Sequence, residues 1–266
     1  MNRRTNVVSL SVLEGEDKPY TLRGKAYKRS GTASIEVDRL AYNRLVLEGE
    51  GKAFEELPSR AQDLHFETLS RYFSEKLEVS DMGNDILKTL ELYSSKTGFN
   101  IAAALLADEN GFPGIDIVRF GSSIDEIMDR KTFGKQSVLL QYEKAIEMFR
   151  TYYTYEKING IERSDIEVLP EKAFREAVAN AIVHRTWDTN AHIRIEMFSD
   201  KIVITSPGGL PTGISESEYL EGRISLLRNQ ILGSVFFRLR LIEKFGTGIR
   251  RIKATYKDSV MKPEFI

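Results

Sequence analysis

Phe174-Arg175-Glu176-Ala177-Val178-Ala179-Asn180-Ala181-Ile182-Val183-His184-Arg185 is the stretch whose reading decides the fold. Phe174, Ala177, Val178, Ala181 and Ile182 follow the i, i+3, i+4, i+7, i+8 spacing of an α-helix and form one apolar stripe. Pro170 suits the first turn, where a missing N–H leaves no bond unmade, so the spacing predicts a helix over 170–185. Glu176, Asn180 and His184 recur every four residues and share a face roughly opposite the stripe. A helix buried on one side and carrying an acid, an amide and an imidazole on the other is a ligand-facing element. The plainer alternative is that Glu176 and His184 face water.

Downstream, Ile193-Arg194-Ile195-Glu196-Met197 alternates strictly and predicts a strand. Lys201–Thr205 predicts a second, with Ser199-Asp200 as the hairpin turn. Pro207-Gly208-Gly209 ends the second strand, and helices are expected at 215–221, 228–239 and about 247–256. Upstream, Val138, Leu139, Tyr142, Ala145, Ile146 and Phe149 predict a helix over 136–153. A strand pair is expected at 100–107 and 114–120, joined by the turn cluster Glu109-Asn110-Gly111-Phe112-Pro113-Gly114. Helices are expected at about 65–77 and 83–94, and a polar linker at 49–64. The start reads as strands over 6–13, Tyr20–Tyr27 and Ser34–Val37, then a helix over Asp38–Leu47. The fold class is α/β (α+β). Residues 170–256 should form an α/β sandwich, the helix at 170–185 packed on a mostly antiparallel sheet that contains 192–205.

Composition narrows the function. The 266 residues include 38 basic and 39 acidic ones, a net charge of −1, so a nucleic-acid site has to be a local patch. Cysteine is absent, which excludes disulfides and thiolate metal sites. His65, His184 and His192 are too scattered for a His-rich metal site. No apolar run approaches the ~18 residues of a membrane helix, and Met1-Asn2-Arg3-Arg4-Thr5 opens no signal peptide. The expectation is a cytoplasmic protein with no membrane partner. Residues 223–253 carry eight basic side chains and one acid, a local charge of +7; such a stretch holds phosphates of a nucleotide or nucleic acid, or is a solvated helix face. Lys25, Lys28 and Arg29 form a smaller cluster. Trp187, the single tryptophan, reads as a core plug rather than a base-stacking platform.

The order of helix with Glu-x-x-x-Asn-Ala, β-hairpin, glycine turn and second glycine turn opening a helix resembles the GHKL ATPases. Glu176–Ala181 resembles their N box, Ile204-Thr205-Ser206-Pro207-Gly208-Gly209-Leu210-Pro211 occupies the place of the first glycine box, and Gly246-Thr247-Gly248-Ile249 resembles the second. Phe174–Arg185, Ser206–Pro211 and Leu241-Ile242-Glu243-Lys244-Phe245-Gly246-Thr247-Gly248-Ile249-Arg250-Arg251 are similar to a prokaryotic family of transcriptional regulators and RecG-related, ATP-dependent DNA helicase-like proteins. Its members pair a Schlafen AlbA-like N-terminal domain with a GHKL-like C-terminal module. Gly24-Lys25-Ala26-Tyr27-Lys28-Arg29-Ser30-Gly31-Thr32 resembles the second half of the AlbA-like domain. The resemblance divides the chain into a partial AlbA-like piece (1–50), a helical and β intermediate segment (51–134) and a GHKL-like domain (135–266), and makes the chain a cut or shortened relative.

By that resemblance Glu176 is the general base toward water and Asn180 completes the Mg²⁺ shell. His184, Ser206, Gly208, Gly209, Gly246, Thr247 and Gly248 line the nucleotide, the glycines letting backbone N–H groups approach phosphate. Lys25, Lys28, Arg29, Arg250 and Arg251 are the nucleic-acid contacts. ATP and Mg²⁺ are the implied ligands, DNA the implied partner (weak for this chain alone), and a homo-oligomer the implied assembly. One position departs: Ser206 stands where the ATPases carry an adenine-binding Asp, and a neutral hydroxyl accepts more weakly than a carboxylate. Ser206→Asp is therefore expected to strengthen adenine recognition. The leading reading is a DNA-linked transcriptional regulator whose degenerate GHKL module serves nucleotide sensing or subunit contact. The alternatives are an active Mg²⁺-dependent ATPase of a helicase-related protein, although no Walker-type Gly-x-x-x-x-Gly-Lys-Ser/Thr run exists, and an interaction scaffold with a vestigial pocket.

Overall fold

The computed structural model describes residues 10–11, 19–79, 82–210, 215–221, 226–243 and 247–266. The chain divides into two compact units, Met1–Ala53 and Phe54–Ile266. Most of the strand expected over 6–13 lies outside the described residues, as do Arg223, Lys244 and Gly246.

In the first unit, Arg23 and Gly24 both adopt left-handed backbone (φ 53° and 77°). They reverse the chain so that Leu22 and Lys25 exchange backbone hydrogen bonds of 2.8 and 3.1 Å. The strand expected over Tyr20–Tyr27 is therefore replaced by this tight turn, and pairing starts at β1 (Tyr27–Ser30) with β2 (Ala33–Glu36). Asp38 caps α1 (Arg39–Gly49), its carboxylate accepting the Ala41 N–H at 2.8 Å. Among the described residues of this unit only Ala26 is buried.

The second unit opens with a short 3₁₀ turn, Phe54–Glu56, inside the stretch expected to be a linker. α2 (Glu67–Leu77) and α3 (Asn84–Thr89) follow. The helix expected to run to residue 94 stops early, because Glu91 turns left-handed (φ 59°); β3 (Tyr93–Ser94) then pairs with β4 (Gly98–Phe99). α4 (Ile101–Leu106) occupies the place of an expected strand. Its six residues are all buried, and Asn100 caps it by accepting the Ala103 N–H at 2.9 Å. A run apolar on every side has no period that separates helix from strand; the cap and the alanines decide for helix.

β5 (Ile115–Phe120) pairs antiparallel with β6 (Ile127–Phe133). α5 (Val138–Tyr153), the hairpin of β7 (Thr154–Asn159) and β8 (Glu162–Glu167), and α6 (Glu171–Val183) follow. β9 (Ile193–Met197) and β10 (Ile202–Thr205) form the expected hairpin, and α7 (Glu216–Glu221), α8 (Gln230–Arg238) and α9 (Gly248–Thr255) complete the unit. The central sheet has the order β10-β9-β5-β6, parallel only between β9 and β5. Strands on both sides of position 134 thus share one sheet.

Ile115, Ile117, Ile193, Ile195 and Met197 point to one face of that sheet and are fully buried, while Asp116, Arg194 and Glu196 alternate onto the other. α5 packs on β5 and α6 on β10. The expected α5 stripe is buried throughout, and Phe149 stacks on Phe174 at 4.5 Å to join α5 to α6. In α6, Phe174, Val178, Ala181 and Ile182 are buried and Ala177 is half-buried. Pro170 sits just before the helix, as its N-cap. Among the described residues no helix is long and apolar enough to cross a membrane.

Candidate functional site

α6 and α9 meet at the candidate site. Asn180 Nδ2 donates to Glu176 Oε1 at 3.4 Å, one helical turn apart. Gly248, in the first turn of α9, lies against both: a Cβ built there would stand 2.6 Å from Glu176 Oε1 and 2.7 Å from Asn180 Nδ2. A side chain at 248 would have to push the ends of the Glu176 and Asn180 side chains aside, so glycine lets the start of α9 lie directly on the acid and the amide. Thr247 precedes α9 as its N-cap without a side-chain cap bond, and its Oγ1 is a buried polar atom with no partner. Burial raises the Glu176 carboxyl above the usual range; Arg251 and the Asn180 amide oppose that, and Glu243 adds to it. Arg251 itself pairs with Glu243 at 3.0 Å, so an ion pair flanks the acid.

His184 ends α6 as its C-cap. Burial, with Arg228 adding, lowers its imidazole to about 4, which leaves it neutral at pH 7. Ser206, at the end of β10, donates its hydroxyl to the Ala181 carbonyl at 2.8 Å. An Asp there would set one acceptor against another, which removes the basis for expecting a gain from Ser206→Asp. Gly208 is left-handed (φ 113°), and a Cβ would stand 2.1 Å from Thr186 Oγ1. Thr186 donates its backbone N–H to Pro207 O at 2.9 Å, and Arg228 Nη2 donates to Gly209 O at 2.6 Å. The first glycine turn is thereby fastened to the end of α6.

Three residues that the sequence did not single out hold this architecture. Arg185 is fully buried. Its guanidinium donates to the carbonyls of Pro113 (2.7 Å), Gly114 (3.4 Å), Thr189 (3.4 Å) and Ala191, and lies 4.2 Å from the centroid of the Trp187 ring. Burial lowers it to about 10, so it remains a cation. Asn229 donates to Val183 O (2.8 Å) and Arg185 O (2.9 Å) instead of capping its own helix. The cap of α8 comes from Glu55, whose two oxygens accept the N–H groups of Ile231 (2.7 Å) and Leu232 (2.9 Å). Asn at a helix start is a recognisable signal; the long-range use of Glu55 leaves none.

Of the expected nucleic-acid contacts, Lys25 is paired with Glu36 at 2.6 Å, and Arg29 donates to Ser34 Oγ at 3.3 Å. Lys28 and Arg250 are exposed. Arg251 is part-exposed and pairs with Glu243 at 3.0 Å. Among the described residues no group of three or more His, Cys, Asp or Glu is placed to hold a metal ion.

The chain matches no curated protein. Its fold is similar to the crystal structure of the DIP2311 protein from Corynebacterium diphtheriae, with a TM-score of 0.66, 20% identity and coverage of 87% of this chain. The alignment takes in 48% of the DIP2311 chain, so this chain spans about half its length. Residues 190–266 match a family described as "Putative ATP-dependent DNA helicase recG C-terminal". The match contains Ser206, Gly208, Gly209, Thr247 and Gly248; Glu176, Asn180 and His184 precede it. The C-terminal part of this chain is thus similar to the ATPase-like module at the C-terminus of helicase-related proteins.

Proposed function

We propose that Glu176, Asn180, Thr247 and Gly248 form the phosphate and Mg²⁺ end of a nucleotide site, used for sensing in a DNA-linked regulator. The contact of Gly248 with both Glu176 and Asn180 carries this reading. It brings a carboxylate, an amide and a bare helix start to one point, with the unpartnered Thr247 hydroxyl alongside. These groups fit a phosphate-bound cation: Asn180 offers a neutral oxygen to it, and the first N–H groups of α9 offer donors to phosphate. Mg²⁺ supplies charge neutralisation there. In this reading Glu176 takes a proton from water, and its raised carboxyl brings its basicity toward that role.

Two observations favour regulation over rapid turnover. Ser206 spends its hydroxyl on Ala181 O, and α9 lies directly on the acid and amide, so a phosphate can sit between them only if its first turn moves away from α6. Nucleotide occupancy would then be read as a shift of α9. DNA as a partner, a homo-oligomer and a cytoplasmic site of action belong to this proposal, as does an AlbA-like origin for the first fifty residues. Gly248→Ala tests it, since the added Cβ occupies the space between Glu176 and Asn180. The expected result is loss of Mg²⁺·ATP binding by calorimetry with the circular-dichroism spectrum unchanged. Undiminished binding contradicts the placement.

A further inference from the structure

Arg251, one of the expected nucleic-acid contacts, lies beside the candidate site. It follows Gly248 by three positions in α9 and donates its backbone N–H to Thr247 O at 2.8 Å. Residues three apart are neighbours on a helix surface, so Arg251 stands one turn past the contact of Gly248 with Glu176 and Asn180. Of the charged groups that act on the Glu176 carboxyl, Arg251 acts most strongly, ahead of Glu243 and Lys172. Its own partner is Glu243, at 3.0 Å. One guanidinium thus acts on two carboxylates, one on α6 and one four residues before the N-cap of α9. The side chains of the Arg251–Glu243 pair are 40% and 44% exposed. An ion pair so open to water is weak, and a stronger acceptor can take the guanidinium.

We propose that Arg251 senses the terminal phosphate of a nucleoside triphosphate, and that its ion pair with Glu243 is the contact this phosphate has to displace. The inference rests on the reading of Glu176, Asn180, Thr247 and Gly248 as the phosphate and Mg²⁺ end of a nucleotide site. In that reading Glu176 acts on water, so the phosphate it faces is the terminal one. A terminal phosphate there meets two carboxylates, Glu176 and Glu243, and both repel it. Transfer of Arg251 from Glu243 to the phosphate supplies a cation and a planar fork of N–H donors matched to phosphate oxygens. A diphosphate places no phosphoryl group at that point and leaves Arg251 on Glu243. Glu243 is therefore a built-in competitor of the triphosphate. Because Arg251 belongs to α9, its transfer accompanies the movement of that helix away from α6.

The test is calorimetry of the full chain with Mg²⁺·ATP and Mg²⁺·ADP, in wild type, R251Q, E243Q and the control K257Q, which removes an exposed cation past the end of α9. Wild type should bind the triphosphate about tenfold more tightly than the diphosphate, the scale of one hydrogen bond to a charged group. R251Q should lose that preference by weakening ATP alone. E243Q should move the other way, tightening ATP and leaving ADP unchanged, because the guanidinium has lost its rival acceptor. K257Q should match wild type, and thermal melts should show every variant folded. An ion pair that only braces the fold would give R251Q and E243Q the same effect, so shifts in one direction overturn the proposal. Equal binding of the two nucleotides by wild type overturns it too. Nucleotide binding with an unchanged preference in R251Q removes the sensor and leaves the site standing, whereas no binding of either nucleotide by wild type removes both.

Discussion

Glu55 and Leu232 are 177 positions apart in the sequence, yet the carboxylate of one accepts the backbone N–H of the other at 2.9 Å. Ile231 donates to the second oxygen, and Glu55 has no exposed surface. Burial pushes the carboxyl from 4.5 up to about 7, against the pull of those N–H groups. A carboxyl raised on folding stabilises the fold fully below its unfolded pKa. That contribution is lost as pH rises through the folded value, so the window is 4.5 to 7, worth roughly 3 kcal/mol at most. Glu55→Gln keeps a carbonyl acceptor and removes the titration. Urea melts should show its stability flatter than wild type between pH 5 and 7.5; an unchanged pH profile counts against a titrating Glu55. Glu55→Ala should cost about 1–3 kcal/mol at pH 5, since two buried N–H groups lose their acceptor.

His184 works in the opposite direction. Its imidazole falls from 6.5 to about 4 on burial, so its contribution is complete above 6.5 and lost as pH falls through 4. The two groups offset each other between about pH 6.5 and 4.5. His184→Gln removes the acid-side loss, and its stability should rise relative to wild type as pH drops from 6.5 to 4. A parallel pair of curves would contradict a buried, neutral histidine.

Arg185 should tolerate no replacement. Lysine brings one point charge where a planar fork reaches four carbonyls. Arg185→Lys is expected to cost more than about 2 kcal/mol and Arg185→Ala more, by the loss of donors to buried carbonyls. Trp187 fluorescence should shift in both, because the guanidinium lies over its ring. A loss below 0.5 kcal/mol for lysine, on the scale of a surface substitution, would show that the fork is dispensable.

What could be read from the sequence follows from what each signal measures. α5 and α6 were legible because one face of each packs on other elements and the apolar spacing records it. β9 and β10 were legible because one sheet face is buried and the other exposed. α4 was misread because all its residues are buried, which erases the period. β6 was missed because it is an edge strand whose residues are mostly exposed, so nothing makes it alternate. The glycine at 248 was legible as a helix start, but its contact with Glu176 and Asn180 depends on how two distant helices pack. Arg185 was not singled out, since a buried cation held by carbonyls carries no partner signature in the chain.

Calorimetry of wild type and Asn180→Ala with ATP, with and without Mg²⁺, tests whether α6 and α9 form a Mg²⁺-dependent nucleotide site. Asn180 lies one turn past Glu176 and shares its contact with Gly248. Wild type should bind ATP more tightly with Mg²⁺. Asn180→Ala should lose that difference, while Glu176→Ala, which removes a carboxylate that repels phosphate, should bind nearly as wild type does. No ATP binding by wild type at millimolar nucleotide, or the same Mg²⁺ dependence in Asn180→Ala as in wild type, would contradict it.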